Sequence, residues 1–302
     1  MASRRLGWLV EPAGFQVERL LGQELRGATT SSDIRDWLKA ARPDAVFEAT
    51  SLSVKDGQPA IDYIREALEA GAHAITANKG TIVHAYEELD ALAEKKGKRF
   101  LFESTVMDGA PIFSLFRESM PAVRLNGIRG ILNSTTNVIL SDMENGMSFE
   151  ESVKRTQEMG LAETDPSHDV DGWDAAVKIT ALVRVLMQAP LKLDEVERTG
   201  IRELRAAEVR TARRDGRPYK LVCRAERDGS RVKARVRPEQ VPLSDPLALV
   251  TGSSSIVQFE TDIFPNLVIT ENDPGLETTA YGMLADFIRA VAGGSSAPVG
   301  WK

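Results

Sequence analysis

The sequence predicts an α/β fold: a parallel sheet with helical crossovers, followed by a second, α+β region. Three observations predict it. Apolar, strand-like runs alternate with amphipathic helical segments between residues 44 and 103, at the spacing of parallel strands joined by crossover helices. From Pro111 to about Gln188 the pattern turns mainly helical. Between residues 219 and 237, two strand-like runs flank an Asp228-Gly229 turn, a hairpin signal.

The elements follow in order. An amphipathic helix is expected from Phe15 to Leu21. Residues 44–50, DAVFEAT, read as a short buried strand. A helix follows from Pro59 to Ala70, with Ile61, Ile64, Ala67 and Leu68 on one face. Pro59 suits the first turn and Gly71 the C-terminal end. Next come strand His73–Ala77, the loop Asn78-Lys79-Gly80, and a helix from about Ala85 to Lys96 ending at Gly97. Strand Arg99–Glu103 completes the alternation. Ligands of such sheets bind beyond the carboxyl ends of the strands, here Ala49-Thr50-Ser51, Asn78-Lys79 and Glu103-Ser104-Thr105. The helical middle is broken by strand Ile128–Leu132 and a turn at Asn133–Asn137. Residues 255–270 add strand-like material, and a last helix runs from about Thr279 to Val291.

Composition narrows the function classes. The chain has 302 residues, room for about two domains. Its net charge of -6 gives no electrostatic argument for nucleic acid or an anionic membrane. No apolar run approaches the roughly 20 residues that span a bilayer. The N-terminus lacks the long apolar segment of a signal peptide, so a cytoplasmic location is expected. The single Cys223 excludes an intramolecular disulfide and reads as a buried small hydrophobe. The three histidines are scattered, which argues against metal spacing and histidine triads.

The chemistry concentrates in Gly160-Leu161-Ala162-Glu163-Thr164-Asp165-Pro166 and the run through Asp169, Asp171, Gly172, Asp174 and Lys178. On a helix, positions 171, 174 and 178 share one face. The opposite face is apolar, so a lysine sits among acids at the edge of a core. Alone, Asp174 and Lys178 would be an ordinary i, i+4 ion pair worth a few tenths of a kcal/mol. A catalytic lysine in a substrate site is the other reading, and the whole pattern favours it. Trp173 beside it reads as packing.

A dinucleotide-binding domain opens with strand, glycine-rich turn, helix and strand. No G-x-G-x-x-G stands near the start of this chain, which begins Met1-Ala2-Ser3-Arg4-Arg5. The sheet is therefore expected to lack its first strand, its phosphate-binding turn and most of its second strand.

GLAETDPSHDVDGWDAAVK, with GILNSTTN at residues 130–137, Asn78-Lys79, Thr199-Gly200-Ile201-Arg202 and Pro246-Leu247, resembles the homoserine dehydrogenase family over nearly the whole chain. Ser134 stands where that family usually has glycine. The resemblance implies a Rossmann-type domain, N-terminally truncated here, joined to an α+β domain for substrate binding and dimerisation. Residues 1–110 with the C-terminal segment 278–302 would form the first and residues 111–277 the second. It implies NADP (or NAD) as coenzyme, a small amino-acid substrate and a homodimer. The reaction is the reduction of L-aspartate 4-semialdehyde to L-homoserine, on the path to threonine and methionine.

Carried over position by position, the resemblance gives Lys178 as proton donor, Asp174 as its orienting partner, and Asp169 in contact with the substrate or with that network. Glu163 would hold the substrate's amino group. Lys79, from the other domain, would reach the reacting end and the carboxylate or nicotinamide side. Thr50 would lie near the nicotinamide, Arg4 and Arg5 at a 2′-phosphate, and Gly275 in the turn that closes over the coenzyme. Glu103, with the carbonyls of Val106, Asp108 and Ala110, matches the family's sodium site. Two segments depart from the family pattern: Val106-Met107-Asp108-Gly109, usually small and glycine-containing, and Asp273-Pro274-Gly275-Leu276-Glu277, usually a GxGAG-like turn. No C-terminal regulatory domain is expected. The alternative reading is a non-catalytic, truncated relative that dimerises but binds coenzyme poorly.

Overall fold

The computed structural model describes residues 2–3, 7–16, 18 and 33–292. Arg4, Arg5, most of the helix expected at Phe15–Leu21 and the tail after residue 292 lie outside the described residues. A short antiparallel pair, β1 (Ala2–Ser3) and β2 (Gly7–Trp8), opens the chain. Helix α1 (Ile34–Ala41) is capped by the Asp33 side chain. Strand β3 (Ala45–Glu48), helix α2 (Ala60–Glu69), strand β4 (His73–Thr76), helix α3 (Lys79–Lys96) and strand β5 (Phe100–Leu101) then form a parallel sheet in the order β3-β4-β5. This is the expected alternation.

Two boundaries differ, for identifiable reasons. Helix α3 starts at Lys79, not Ala85, because the Asn78 side chain accepts from the Gly80 N–H at 3.0 Å and caps it. The break read at Ala85 is a kink, with φ -144° there. After β5 the chain makes single 3-10 turns at Glu103–Thr105 and Met107–Gly109. The stretch after Pro111, expected to be helical, forms only one wide turn at Leu115–Ser119. Prolines at 111 and 121 remove donors at both ends, and the Phe113 and Ser114 amides are taken by the Glu103 carboxylate.

The second region is a six-stranded sheet backed by helices. Its elements are β6 (Leu125–Ile131), α4 (Ser134–Glu144), α5 (Phe149–Glu158), α6 (Ser167–Val170), α7 (Trp173–Leu186), β7 (Glu197–Arg198), α8 (Ala206–Arg214), β8 (Tyr219–Asp228), β9 (Arg231–Gln240), β10 (Ser255–Thr261) and β11 (Leu267–Glu271). The strand order is β11-β10-β6-β8-β9-β7. The β8–β9 hairpin turns on Gly229-Ser230, since Asp228 still pairs with Arg231. Helix α7 packs on β8 and β9 and, from the other side, on α3. Ala175, Ala176, Ile179, Leu182 and Val183 are fully buried there. Helix α9 (Leu276–Val291) returns to the first sheet and packs on β4 and the turns at 103–109.

One close approach fixes the acidic segment before α7. A Cβ on Gly200 would lie 2.2 Å from the Val170 carbonyl and 2.5 Å from Asp171 Cα. Ile201 N donates to that same carbonyl at 2.8 Å. Gly200→Ala is expected to cost about 2–3 kcal/mol, by the usual penalty for overpacking. A thermal melt of the variant checks it.

Candidate active site

The end of β6 and the cap of α4 build the centre of the site. Asn133 caps α4, its side-chain oxygen accepting from Thr136 N at 2.8 Å. That leaves its amide nitrogen to donate to Asp169 at 2.7 Å and to Asp174 at 3.0 Å. Leu132, one residue earlier, turns its carbonyl to the Lys178 ammonium at 2.6 Å. The i, i+4 spacing on α7 then brings Lys178 Nζ to 3.1 Å from Asp174 Oδ2. The other Asp174 oxygen is taken from across the junction, where Lys79 Nζ lies at 3.1 Å. Lys79 is placed by the Asn78 cap, whose amide donates to the Thr50 carbonyl at 3.1 Å. One carboxylate thus joins both regions of the chain.

The electrostatics follow from burial and pairing. Burial of Asp174 opposes its charge, but Lys178, Lys79 and the Asn133 amide outweigh it and hold the carboxyl well below the usual range. For Lys178, burial again opposes the charge, and Asp174, Asp108 and Asp169 together raise its pKa. From sequence alone, desolvation pulls this lysine down toward neutrality while a nearby aspartate pulls the other way. The acids around it win, so Lys178 rests as an ammonium. Asp169 shifts upward, first by burial and then by the charge of Asp174.

Asp171 does not share this face. It precedes Gly172, which has φ +80°, so it lies outside α7 and pairs with Arg202 at 2.9 Å. Trp173 is packing, as expected, with the Arg198 guanidinium 3.7 Å from its ring centre. Cys223 is fully buried and its thiol is pushed up to about 12 by that burial.

Glu163 is exposed, outside the Asp174 network, in a loop held by Gln157, which donates to the Glu163 and Thr164 carbonyls at 3.1 Å each. Its carboxylate is therefore open to a ligand's cation. Two acids were missed by sequence reasoning. Glu48, 3% exposed, accepts from Thr50 N at 2.7 Å, Thr50 Oγ1 at 2.5 Å and Thr76 Oγ1 at 2.6 Å. It stiffens the end of β3, and it gave no local signal because Thr76 is 28 residues away. Glu271, at the end of β11, has a buried carboxylate oxygen without a partner among the described residues. Burial, then the charge of Asp108, pushes it up to about 7, while Lys178 pulls it down. A carboxyl with a raised pKa is neutral below that value and charged above it. Substrate KM is therefore expected to show an inflection near pH 7 that Glu271→Gln abolishes, measured from the pH dependence of initial rates.

The family model described as homoserine dehydrogenase matches residues 111–288, and the model of that enzyme's NAD-binding domain matches residues 8–103. The chain belongs to the homoserine dehydrogenase family. It is thus an oxidoreductase with a Rossmann-like NAD-binding domain and a second domain. It is 35% identical over 267 residues to an NAD(+)-dependent homoserine dehydrogenase of Pseudomonas canavaninivorans, covering 88% of this chain and 76% of that one. The solved homoserine dehydrogenase of Thiobacillus denitrificans superposes with a TM-score of 0.80 at 29% identity, covering 93% of this chain and 65% of that one. A hyperthermophilic archaeal homoserine dehydrogenase mutant in complex with NADPH gives 0.76 at 28% identity, covering 90% and 79%. The NAD-binding match from residue 8 onward gives the first region its family assignment, despite the missing glycine motif. No finding favours a non-catalytic relative.

The family's coenzyme fits the sheet edge on chemistry. Beyond the carboxyl ends of the strands, the Thr50 oxygen can still accept while donating to Glu48, the Lys79 ammonium has N–H groups besides the one facing Asp174, and the first N–H groups of α9, with Gly275 as cap, point outward without an intrahelical partner. The expected sodium site does not fit. The Glu103 carboxylate, 1% exposed, accepts from Phe113 N at 2.7 Å and Ser114 N at 2.9 Å, and Arg289 lies 3.4 Å away. The Ala110 carbonyl accepts from Ile112 N at 2.7 Å. Glu103 thus pins a loop instead of offering oxygens to a cation beside Val106 and Asp108. Among the described residues no group of three His, Cys, Asp or Glu side chains could hold a metal. No described helix is long and apolar enough to cross a membrane.

Proposed function

We propose that this protein interconverts L-aspartate 4-semialdehyde and L-homoserine with NAD(P), supplying homoserine for threonine and methionine synthesis. The observation that carries the reading is the Asp174 carboxylate held between Lys178 and Lys79, each at 3.1 Å, where the two regions meet. The coenzyme supplies the hydride. The chain must supply a proton for the alkoxide oxygen and a positive field while that charge develops. Lys178 does both: it is held as an ammonium, and its Nζ is the proton donor. In the reverse direction the neutral amine takes the hydroxyl proton.

Asp174 aims Lys178 and keeps it charged. Lys79, tied to the same carboxylate, provides the second cation, facing the substrate carboxylate and the nicotinamide side. Glu163 binds the α-ammonium, and Asp169, fixed by Asn133, borders the substrate. Thr50 and Gly275 line the coenzyme edge. Residues 1–110 with 278–302 act as the coenzyme domain and 111–277 as the substrate domain. We assign a homodimer, supported by the edge strand β11 with its exposed Val268 and by the exposed Ile263 and Phe264 just before it.

The test is direct. The purified protein is incubated with L-aspartate 4-semialdehyde and reduced coenzyme, NADH or NADPH in parallel, and the product is identified by mass spectrometry. Homoserine formed in step with coenzyme oxidation supports the reading, and coenzyme left unoxidised with both contradicts it.

A further inference from the structure

We propose that Lys220 is a positioning residue: from beneath the loop 250–254 its buried ammonium holds the turn 271–275 that borders the coenzyme edge of the site. The inference rests on the function proposed above. Lys220 is 1% exposed, on β8. Its Nζ donates to the Val250 carbonyl at 2.5 Å and to Asn137 Oδ1 at 3.0 Å. The Asn137 amide nitrogen in turn donates to the carbonyls of Gly252 at 3.0 Å and Ser254 at 3.4 Å. A single ammonium and a single amide therefore gather the carbonyls of one loop.

The loop passes that order on. Ser253 Oγ and Ser254 Oγ reach Asp273 Oδ1 at 3.1 and 3.4 Å, and Asp273 N donates to Ser254 Oγ at 3.1 Å. Asp273 sits at φ +43°, a left-handed conformation that costs a non-glycine residue and needs outside support. It stands between Glu271, which feels the charge of Lys178, and Gly275, which caps α9. Lys220 thus acts on the site only through Asn137, the loop and Asp273.

An ammonium bound by carbonyls is worth keeping only while it is charged. Burial lowers the Lys220 pKa to about 8, opposed by Glu144 on α4 and aided by Arg213 on α8. Glu144 is itself pushed upward by burial and lies 3.6 Å from Arg213. No carboxylate makes a direct ion pair with Lys220 among the described residues. Above that pH the charge-assisted hold on Val250 weakens and the turn loosens.

The test titrates NADPH and NADH into the protein by coenzyme fluorescence, which needs no turnover. For the wild type, Kd is expected to rise about threefold between roughly pH 7 and 9, since charge-assisted hydrogen bonds are about twice as strong as neutral ones. Lys220→Met is expected to bind about tenfold more weakly and to lose the part of the rise centred near pH 8, leaving only the Glu271 step near pH 7. Asp273→Ala should weaken binding similarly, and the double variant should be no worse than either single one, the non-additivity of a shared path. Hydrogen exchange at the amides of 271–273 and 275 should rise with the Kd. A wild-type Kd flat across that range, a Lys220→Met variant binding like wild type, or strictly additive variants would overturn the proposal. The wild-type titration stands even if Lys220→Met does not fold. Failure of both coenzymes to bind at all would instead count against the proposed function.

Discussion

Lys178→Ala is expected to lower kcat/KM for aldehyde reduction by about 10³-fold, with the fold retained. The loss removes both a proton donor and an ammonium facing the developing alkoxide, contributions of 10²–10⁴ and 10²–10³ that overlap in one side chain. Structural collapse is not expected, because the Lys178 side chain is 16% exposed at the mouth of α7 and the apolar face of the helix is untouched. Lys178→Arg keeps the charge but not the proton affinity or the shape. It should remain far below wild type, although coenzyme binding is preserved. Steady-state rates with matched circular dichroism spectra check both variants.

Asp174→Ala is the second large effect, and it acts on stability and activity together. The carboxylate, with its side chain 12% exposed, is the shared partner of Lys178, Lys79 and Asn133. Removing one partner of a buried ion pair costs about 3–5 kcal/mol, because the remaining charges lose their compensation. The exposure of Lys79, 21%, puts this case at the lower end. The sign of the pH dependence follows from the depressed carboxyl. Its stabilisation is fully present above the unfolded value near 4 and is lost as pH falls through the folded one. The difference in stability between wild type and variant should therefore shrink in acid. In the kinetics, Lys178 loses the neighbour that raises its pKa, so the alkaline limb of the rate profile moves to lower pH.

What was legible in the sequence was what depends on near neighbours. The i, i+4 spacing of Asp174 and Lys178, the alternation that gives β3-β4-β5, and Lys79 at the end of a strand all read from local pattern. The rest depends on residues far along the chain. Asp171 looked like a third member of the face, but Gly172 turns the chain there, and Arg202 takes the carboxylate from 31 residues away. Glu103 looked like a cation ligand because the amides that fill it, at Phe113 and Ser114, follow a loop whose path no periodicity shows. Asn133 read as part of a turn, and its double role, capping α4 and bridging Asp169 to Asp174, needs the fold of α7 against β6. The pull of Asp174 on Lys178 was legible from their spacing, but the further contribution of Asp108, from the turn after β5, was not.

The most direct test of the central claim is chemical rescue of Lys178→Ala by small primary amines. If Lys178 is the proton donor held as an ammonium, then ethylammonium added to the variant restores aldehyde reduction in a saturable way. The restored rate should vary with the pKa across a series of amines, and the same amines should leave the wild type unchanged. A variant that reduces the aldehyde at the wild-type rate without any amine would contradict the assignment.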